Sequence, residues 1–153
     1  MQKVTPFLWF DNNAEEAINL YTSVFKNSAI LGMNRMGDGG QLLTANFQIN
    51  GQEFMVMNAG PQFKFTEAFS VFVSVETQAE VDELWEKLSE GGEKSQCGWL
   101  KDKFGLSWQI IPTALMQLMS DPSPIKANNV MQAMLQMTKI DIQKLQDAHN
   151  KDS

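Results

Sequence analysis

The chain contains few of the residues that most often build catalytic and metal centres. Its 153 residues include one histidine, His149, and one cysteine, Cys97. A lone cysteine forms no disulfide within the chain, which removes the main reason to expect an oxidising compartment. A lone histidine leaves the usual imidazole-rich transition-metal site without its ligands. Because His149 lies close to the C-terminus, we expect it to be a solvated tail residue.

Positive charge is scarce as well. The 12 Lys and Arg residues are scattered, and 18 Asp and Glu residues give a net charge of −6. Nucleic-acid binding needs clustered basic residues, so we expect no nucleic-acid partner. No apolar run approaches the ~18 residues of a membrane helix, and no secretory signal pattern opens the chain. We therefore expect no membrane partner and a cytoplasmic location.

The residues that are present suit an ordinary globular core. The chain is 43% hydrophobic and includes ten Phe and four Trp. Its length fits one domain, covering residues 1–153. The apolar pattern predicts a first group of elements in the order strand, helix, strand, strand, strand. The strands are predicted at residues 4–10, 29–33, 42–49 and 53–57, and the apolar set of the helix is Ala14, Ala17, Ile18, Tyr21, Val24 and Phe25.

Local signals mark the ends of these elements. Asn12 with Glu15 has the spacing of a helix N-terminal capping box, with Asn in place of Ser or Thr. Asn50-Gly51 is typical of a two-residue hairpin turn, because both of its positions need positive φ. We therefore expect the strands at 42–49 and 53–57 to form a hairpin.

The same order of elements starts again after a linker at residues 58–68. A strand at 69–75 precedes a helix capped by Thr77 and Glu80, whose apolar stripe is Val81, Leu84, Trp85 and Leu88. Strands around 97–100 and 107–111 follow, joined by a turn in which we expect Lys101 and Asp102 to form an ion pair. Helices are then predicted at 113–119, 125–137 and 140–148. The fold class is α+β, with one strand–helix–strands module repeated.

Three segments resemble the PhnB-like branch of the glyoxalase/bleomycin-resistance (vicinal oxygen chelate) superfamily, a branch often labelled demethylubiquinone methyltransferase-like. They are Thr5-Pro-Phe-Leu-Trp-Phe-Asp-Asn with Ala14-Glu-Glu-Ala-Ile-Asn-Leu-Tyr, the linker segment Met57 to Ala68, and Cys97-Gly-Trp-Leu-Lys-Asp-Lys-Phe-Gly-Leu-Ser-Trp-Gln109. The resemblance implies two βαβββ modules, the glyoxalase/bleomycin-resistance fold, with a C-terminal helical extension. The modules would span about 1–58 and 69–112, and the tail 113–153.

The resemblance also implies where metal ligands would lie. The corresponding positions hold Thr5, Phe69 or Ser70, Gln62 and Gln109. Neutral oxygen donors are too weak to hold a transition metal without anionic or imidazole partners. The carboxylates Glu53 and Glu67 share no evident centre, so we expect no metal and no cofactor. The chain also lacks a glycine-rich loop between a strand and a helix, so we expect no S-adenosylmethionine site and no methyltransferase activity.

What the fold implies instead is a cavity lined by alternate residues of the curled strands. The candidate lining is Trp9, Phe47, Met57, Cys97, Trp99 and Trp108, with Asn58, Gln62 and Gln109 as polar groups that orient a ligand. The alternative is that these large side chains fill the interior and leave no cavity.

Three functions follow from these observations. The leading hypothesis is a metal-free homodimer that binds a small apolar or aromatic molecule. The first alternative is a small-metabolite enzyme, using a carboxylate-bound metal or Cys97 as nucleophile, although no catalytic residue can be named. The second is an interaction module without a ligand.

Overall fold

A computed structural model describes residues 2–151 of the chain, which divide into two compact units with a boundary between Phe65 and Thr66. Each unit contains one four-stranded sheet. The first unit consists of β1 (Phe7–Phe10), α1 (Ala14–Val24), β2 (Ser28–Arg35), β3 (Leu42–Ile49) and β4 (Gln52–Asn58). No helix in the described range is long and apolar enough to cross a membrane.

The sheet of the first unit has the order β1-β4-β3-β2, with β1 parallel to β4 and the other neighbours antiparallel. Helix α1 covers one face of it with the predicted apolar set, of which Ala14, Ala17, Ile18, Tyr21 and Val24 are buried. The Asn50-Gly51 hairpin is confirmed, because φ is 49° at Asn50 and 88° at Gly51. Strand β1 begins at Phe7 rather than residue 4, and Val4 is 84% exposed.

The N-terminus of α1 differs from the predicted capping box. The cap position is Asn13, not Asn12, and Glu15 forms a hydrogen-bonded ion pair with Arg35 (3.0 Å). The cap hydrogen bond comes from β4 instead, where Asn58 Oδ1 accepts from the Ala14 backbone N–H (2.9 Å). A side chain distant in sequence therefore accepts from a backbone N–H at the start of α1, where the predicted capping box relied on residues next to the helix.

The second unit repeats the topology of the first. It consists of β5 (Ser70–Val75), α2 (Gln78–Ser89), β6 (Glu93–Lys94), β7 (Trp99–Lys101) and β8 (Ser107–Pro112), with sheet order β5-β8-β7-β6. Strand β5 is parallel to β8, as β1 is to β4. The predicted α+β fold with two βαβββ modules is thus confirmed. Sequence analysis did not find β6, because two charged residues form no apolar pattern.

Helix α2 follows its prediction closely. The Thr77 side chain accepts from the Glu80 backbone N–H (3.2 Å), and the predicted stripe from Val81 to Leu88 is buried. This stripe covers one face of the second sheet, on which Trp108 and Ile110 of β8 are also buried.

Three helices end the chain: α3 (Thr113–Met119), α4 (Pro124–Leu135) and α5 (Ile142–His149). They confirm the predicted helical extension with shifted bounds, and residues 152–153 of that prediction lie outside the described range. The helices share a core with the end of β8, formed by Ile111, Leu115, Val130, Met137, Ile140 and Leu145. Gln78 of α2 fixes the chain between α4 and α5 by donating to Ile140 O (3.0 Å) and accepting from Ile142 N (2.8 Å).

The expectation that His149 is solvated is wrong. Its Nε2 lies 2.8 Å from Asp121 Oδ2, and its side chain is only 18% exposed. Asp121 also accepts from the Ser123 backbone N–H (2.8 Å), and the pKa of its carboxyl is lowered by that bond first and by His149 second. The pair connects the end of α5 to the turn between α3 and α4.

The prediction that Cys97 lies in a strand is wrong. Cys97 lies in a sharp turn, with φ of 59°. Its backbone N–H donates to Met137 O (2.8 Å), and the next residue, Gly98, donates to Thr138 O (2.8 Å). A Cβ at Gly98 would lie 2.8 Å from Ile111 Cδ1, so only glycine fits. Strand β7 therefore starts at Trp99, after a turn that anchors the helical tail.

The predicted ion pair between Lys101 and Asp102 is also wrong. Asp102 is 2% exposed, and its Oδ1 accepts from the backbone N–H of Phe104 (2.9 Å) and of Leu106 (3.1 Å). Its Oδ2 accepts from Trp108 Nε1 (2.9 Å). One carboxylate thus closes the turn between β7 and β8 and satisfies a buried indole.

Replacing Asp102 by alanine tests this role. Asp102→Ala removes three hydrogen bonds to a charged acceptor and leaves the Trp108 indole N–H buried without that partner, so we expect a loss of about 3 kcal/mol in unfolding free energy. Urea denaturation followed by circular dichroism measures it. The matched control, Asp147→Ala on the exposed surface of α5, should stay within about 0.5 kcal/mol of the parent. Equal effects of the two substitutions would contradict the assigned role.

Candidate functional site

Each sheet has one face under its helix and one face that the helix leaves uncovered, which we call the open face. Side chains alternate along a strand, and laterally paired residues share a face. On the second sheet, Gln109 of β8 is paired with Phe72 of β5 and with Trp99 of β7. The open face of the second unit therefore places Gln109 between two aromatic residues. Phe72 is 52% exposed, and Trp99 is half-buried.

A hydrogen bond orients this amide. Gln109 Nε2 donates to Ser70 Oγ (3.0 Å) at the start of β5. No described residue between 2 and 151 donates to Gln109 Oε1, which remains an acceptor for a ligand. The Ser70 hydroxyl, which accepts here, keeps its own proton for donation. This arrangement can orient a polar substituent of a ligand. The rings of Phe72 and Trp99 can pack against the apolar part of the same ligand.

An ion pair neutralises the positive charge on this face. Lys101 follows Trp99 by two residues on β7, and its Nζ lies 2.6 Å from Glu67 Oε1. The hydrogen bond from Lys101 lowers the pKa of the Glu67 carboxyl, and the same bond raises the pKa of Lys101. Both groups thus stay charged and paired at neutral pH, which leaves little attraction for an anionic ligand.

The open face of the first unit is aromatic and sulfur-rich. Phe7 and Trp9 of β1 are paired with Met55 and Met57 of β4. Thioether sulfur packs favourably at the edges of aromatic rings, and flexible methionine adapts to irregular ligand shapes. Phe7 is 51% exposed, which leaves apolar area on this face.

The segment after β4 lies across Trp9. Trp9 Nε1 donates to Gly60 O (3.0 Å), and the ring of Phe63 packs edge-on against the indole with centroids 5.0 Å apart. Phe63 itself is 60% exposed. The indole N–H is therefore used by the protein, and Trp9 offers a ligand only its ring surface.

The structure brings the predicted site residues together in two pairs, one on each open face. Trp9 and Met57 are paired on the first sheet, and Trp99 and Gln109 on the second. The others lie elsewhere. Phe47, Asn58 and Trp108 are on the helix-covered faces, Gln62 is exposed in the segment after β4, and Cys97 is in the turn that anchors the tail.

The residues on the helix-covered faces have structural partners. Phe47 stacks on Phe54 with ring centroids 5.1 Å apart, and Trp108 is 1% exposed with its indole bound to Asp102. Asn58 caps α1 and also donates to Leu42 O (3.0 Å). These side chains therefore pack and form hydrogen bonds within the two units and do not line an open face.

Three residues of the open faces were missed by sequence analysis: Phe7, Met55 and Phe72. Each lies two residues from a position that was considered, namely Trp9, Met57 and Ser70. The period of two along a strand was the signal that could have found them.

A family model described as 3-demethylubiquinone-9 3-methyltransferase matches residues 2–111. A Bacillus cereus structure, described as a putative 3-demethylubiquinone-9 3-methyltransferase, PhnB protein, is 38% identical and has a TM-score of 0.68. The match covers 72% of this chain and 99% of that chain. The chain belongs to the PhnB-like family. No curated protein sequence matches it.

Two further structures share the fold of this PhnB-like protein. A Pseudomonas aeruginosa protein is 19% identical, with a TM-score of 0.62, over 73% of this chain and 98% of that chain. The fosfomycin resistance protein FosX of Listeria monocytogenes, described in complex with Mn(II) and sulfate, is 14% identical with a TM-score of 0.52. That match covers 72% of this chain and 91% of that chain. These two likenesses concern the fold, and they agree with the predicted pair of βαβββ modules.

The side chains present do not fit a transition metal. Within residues 2–151, no group of three or more His, Cys, Asp and Glu side chains could hold a metal ion. Ser70 and Gln109, at two positions where the resemblance implied ligands, are hydrogen-bonded to each other. Glu67 is paired with Lys101, and His149 with Asp121 in the tail.

The side chains also do not fit the methyl donor that the family description implies. Nucleotide-like cofactors are commonly bound where a glycine-rich turn leads from a strand into a helix. The glycine-rich segment here, Gly37–Gly40, joins the antiparallel strands β2 and β3 instead. The turns that lead into α1 and α2 contain no glycine. The turns of this PhnB-like protein therefore do not form a glycine-rich site of that kind for a methyl donor.

Glu67→Gln tests the ion pair at the open face. The pKa of Lys101 should fall towards its ordinary value, because the first cause of its rise is the bond to Glu67. In the parent, the stabilisation by Glu67 is present above pH 4.5 and is lost as pH falls through its lowered folded-state pKa. NMR titration of the Lys101 side chain measures the change. Glu83→Gln, which removes the partner of Lys87 on α2, is the control and should leave the Lys101 titration unchanged.

Proposed function

We propose that this PhnB-like protein is a metal-free binding protein for a small, neutral, partly aromatic molecule. The observation that supports it most is the Gln109 amide, placed between Phe72 and Trp99 and oriented by Ser70. Ligand sites typically combine apolar walls with a few placed polar groups, as this face does.

The magnitudes suit weak to moderate affinity. A flat ring against Phe72 and Trp99 removes on the order of 100 Å² of apolar surface from water, worth about 2.5 kcal/mol. A hydrogen bond between a ligand hydroxyl and Gln109 Oε1 adds about 1 kcal/mol and disfavours ligands without a donor. The ligand is then distinguished by its ring and one polar substituent.

Within residues 2–151, the enzyme alternative finds no catalytic group in a suitable position. General acid–base catalysis needs a His or a carboxylate with a suitably shifted pKa in contact with the substrate. The single histidine of the chain is bound to Asp121 in the tail, and Glu67 has a lowered pKa that makes it a weaker base. Cys97 is half-buried, with its Sγ 3.6 Å from Met134 O. Binding without catalysis therefore describes these residues best.

An NMR titration with 2-naphthol tests the proposal, because each of the four tryptophans gives a separate indole N–H signal. The Trp99 signal should shift, whereas those of Trp85 and Trp108, which are 2% and 1% exposed, should stay in place. Trp→Phe substitutions assign the signals. Gln109→Leu should weaken 2-naphthol binding about fivefold and leave the binding of naphthalene, which has no hydroxyl, unchanged.

Two results would contradict the proposal. One is an unshifted Trp99 signal with both compounds up to their solubility limits. The other is an equal effect of Gln109→Leu on both compounds, which would remove the role assigned to the amide. Gln62→Leu, at an exposed position in the first unit, is the matched control and should affect neither.

A further inference from the structure

A buried hydroxyl without a hydrogen-bond partner lies on the open face of the second sheet. Ser107 is the first residue of β8 and is 1% exposed. The alternation along the strand places it on the same face as Gln109, two residues further on. Within residues 2–151, no group forms a hydrogen bond with Ser107 Oγ. Buried polar groups nearly always have a partner, so this hydroxyl has hydrogen-bonding capacity that the fold itself does not use.

Hydrogen-bond donors surround the Ser107 side chain. Ser107 is paired with Ser70 of β5 on one side and with Lys101 of β7 on the other. Ser70 Oγ already accepts from Gln109 Nε2, and its own proton remains for donation. A lysine ammonium can only donate. These side chains are therefore suited to a hydrogen-bond acceptor that enters between them.

An ion pair accounts for the burial of Ser107. Strand β8 lies between β5 and β7 in the sheet. Lys101 is beside Ser107 on β7, and its partner Glu67 precedes the first residue of β5 by three positions. The ion pair, which we call the cover, therefore connects the two sides of β8 at the level of Ser107. Because Glu67 is 62% exposed, the pair contributes little free energy and can be opened at little cost.

The opposite end of the open face is closed by the helical tail. Ile111 follows Gln109 by two residues on β8 and lies on the same face. It is 5% exposed and belongs to the core that the tail helices form. A ring that packs on Phe72 and Trp99 thus meets the tail in one direction and Ser107 in the other. Only the direction of Ser107 offers an unpaired hydroxyl on β8.

We propose that Ser107 and Ser70 form a second polar subsite, which binds a carbonyl oxygen of the ligand once the cover has opened. The inference rests on the proposed function, because it assigns a second contact to the same ligand. A carbonyl is a neutral acceptor, and it suits a point where donors converge and Glu67 balances the charge of Lys101. The ligand class is then a phenol that carries a carbonyl group.

The spacing of the two subsites sets the distance between the two ligand oxygens. Ser107 and Gln109 are two residues apart on one strand, which is about 6.7 Å along its axis. Substituents in para positions of one benzene ring have a similar separation. We therefore expect the phenol hydroxyl at Gln109 Oε1 and a carbonyl para to it at Ser107. 4-Hydroxyacetophenone has this arrangement, and 4-ethylphenol has the same carbon skeleton without the carbonyl oxygen.

NMR titration of both compounds tests the subsite through the Trp99 indole signal. The parent should bind 4-hydroxyacetophenone about fivefold more tightly than 4-ethylphenol, which is the effect of one net hydrogen bond. Ser107→Ala should abolish this preference and leave the binding of 4-ethylphenol unchanged. The substitution removes no hydrogen bond from the unliganded protein, so the fold should be retained. Circular dichroism checks the fold of each variant.

Ser74→Ala is the matched control for this substitution. Ser74 follows Phe72 by two residues on β5, so it lies on the same face. It is exposed and is paired with Ile111, at the end of the face that the tail closes. The Ser74→Ala protein should keep the full preference of the parent for 4-hydroxyacetophenone.

Glu67→Gln tests the cover. An uncharged amide holds Lys101 less strongly than a carboxylate does, so the cover opens more readily. The variant should bind 4-hydroxyacetophenone about threefold more tightly than the parent does and 4-ethylphenol equally well. In the parent, the side-chain NMR signals of Lys101 should shift with 4-hydroxyacetophenone and stay in place with 4-ethylphenol. Glu83→Gln removes the same charge on α2 and should change neither affinity.

The possible results separate this inference from the proposed function. Equal affinities of the parent for the two compounds, or a preference that survives Ser107→Ala, would overturn the subsite and leave the proposed function in place. Lys101 signals that do not respond to 4-hydroxyacetophenone would overturn the opening of the cover. An unshifted Trp99 signal with both compounds would overturn the proposed function, and the subsite with it.

Discussion

A four-stranded sheet has two faces, and in each unit one helix, α1 or α2, covers one of them, while the tail helices of the second unit also pack against the end of β8. Helix α1 covers Phe47 and Phe54 of the first sheet, and α2 covers the face of the second that bears Trp108. Because side chains alternate along a strand, burying these residues turns their neighbours outward. The aromatic residues Phe7 and Phe72 are about half exposed as a consequence. This exposed apolar area is the source of the binding energy assigned to the open faces.

The chemistry of the open faces follows from which polar groups remain there. Ser70 and Gln109 satisfy each other in part, and Lys101 is neutralised by Glu67. A face built in this way can hold a ring and orient one substituent, but it offers neither a strong base nor an anionic ligand set for a metal. The family description names a methyltransferase, whereas the function we propose for this chain is recognition of a small molecule.

Local signals predicted every helix and strand of this fold except β6, and tertiary partners determined the site. The Asn50-Gly51 turn and the α2 stripe depend on neighbours in sequence, so they could be predicted. The face that Trp108 occupies depends on the strand register, which no local pattern fixes. Its indole N–H is bound by Asp102 across a turn, whereas the sequence suggested Lys101 as the partner of Asp102. An Asp that opens a turn ending in Gly105 often binds its own backbone, which was the signal for this carboxylate. Asn58 caps a helix 44 positions earlier in the chain, and no local pattern reveals that contact.

Native mass spectrometry of the purified protein, without added chelator, tests the central claim most directly. The account predicts a protein whose mass corresponds to the chain alone or to the chain with an organic adduct, because the proposed ligand is a neutral molecule and the donor set of residues 2–151 does not suit a metal. One divalent metal ion per chain would contradict the account. It would mean that side chains rearrange into a metal centre that hydrogen bonds such as those of Gln109 with Ser70 and Lys101 with Glu67 do not suggest.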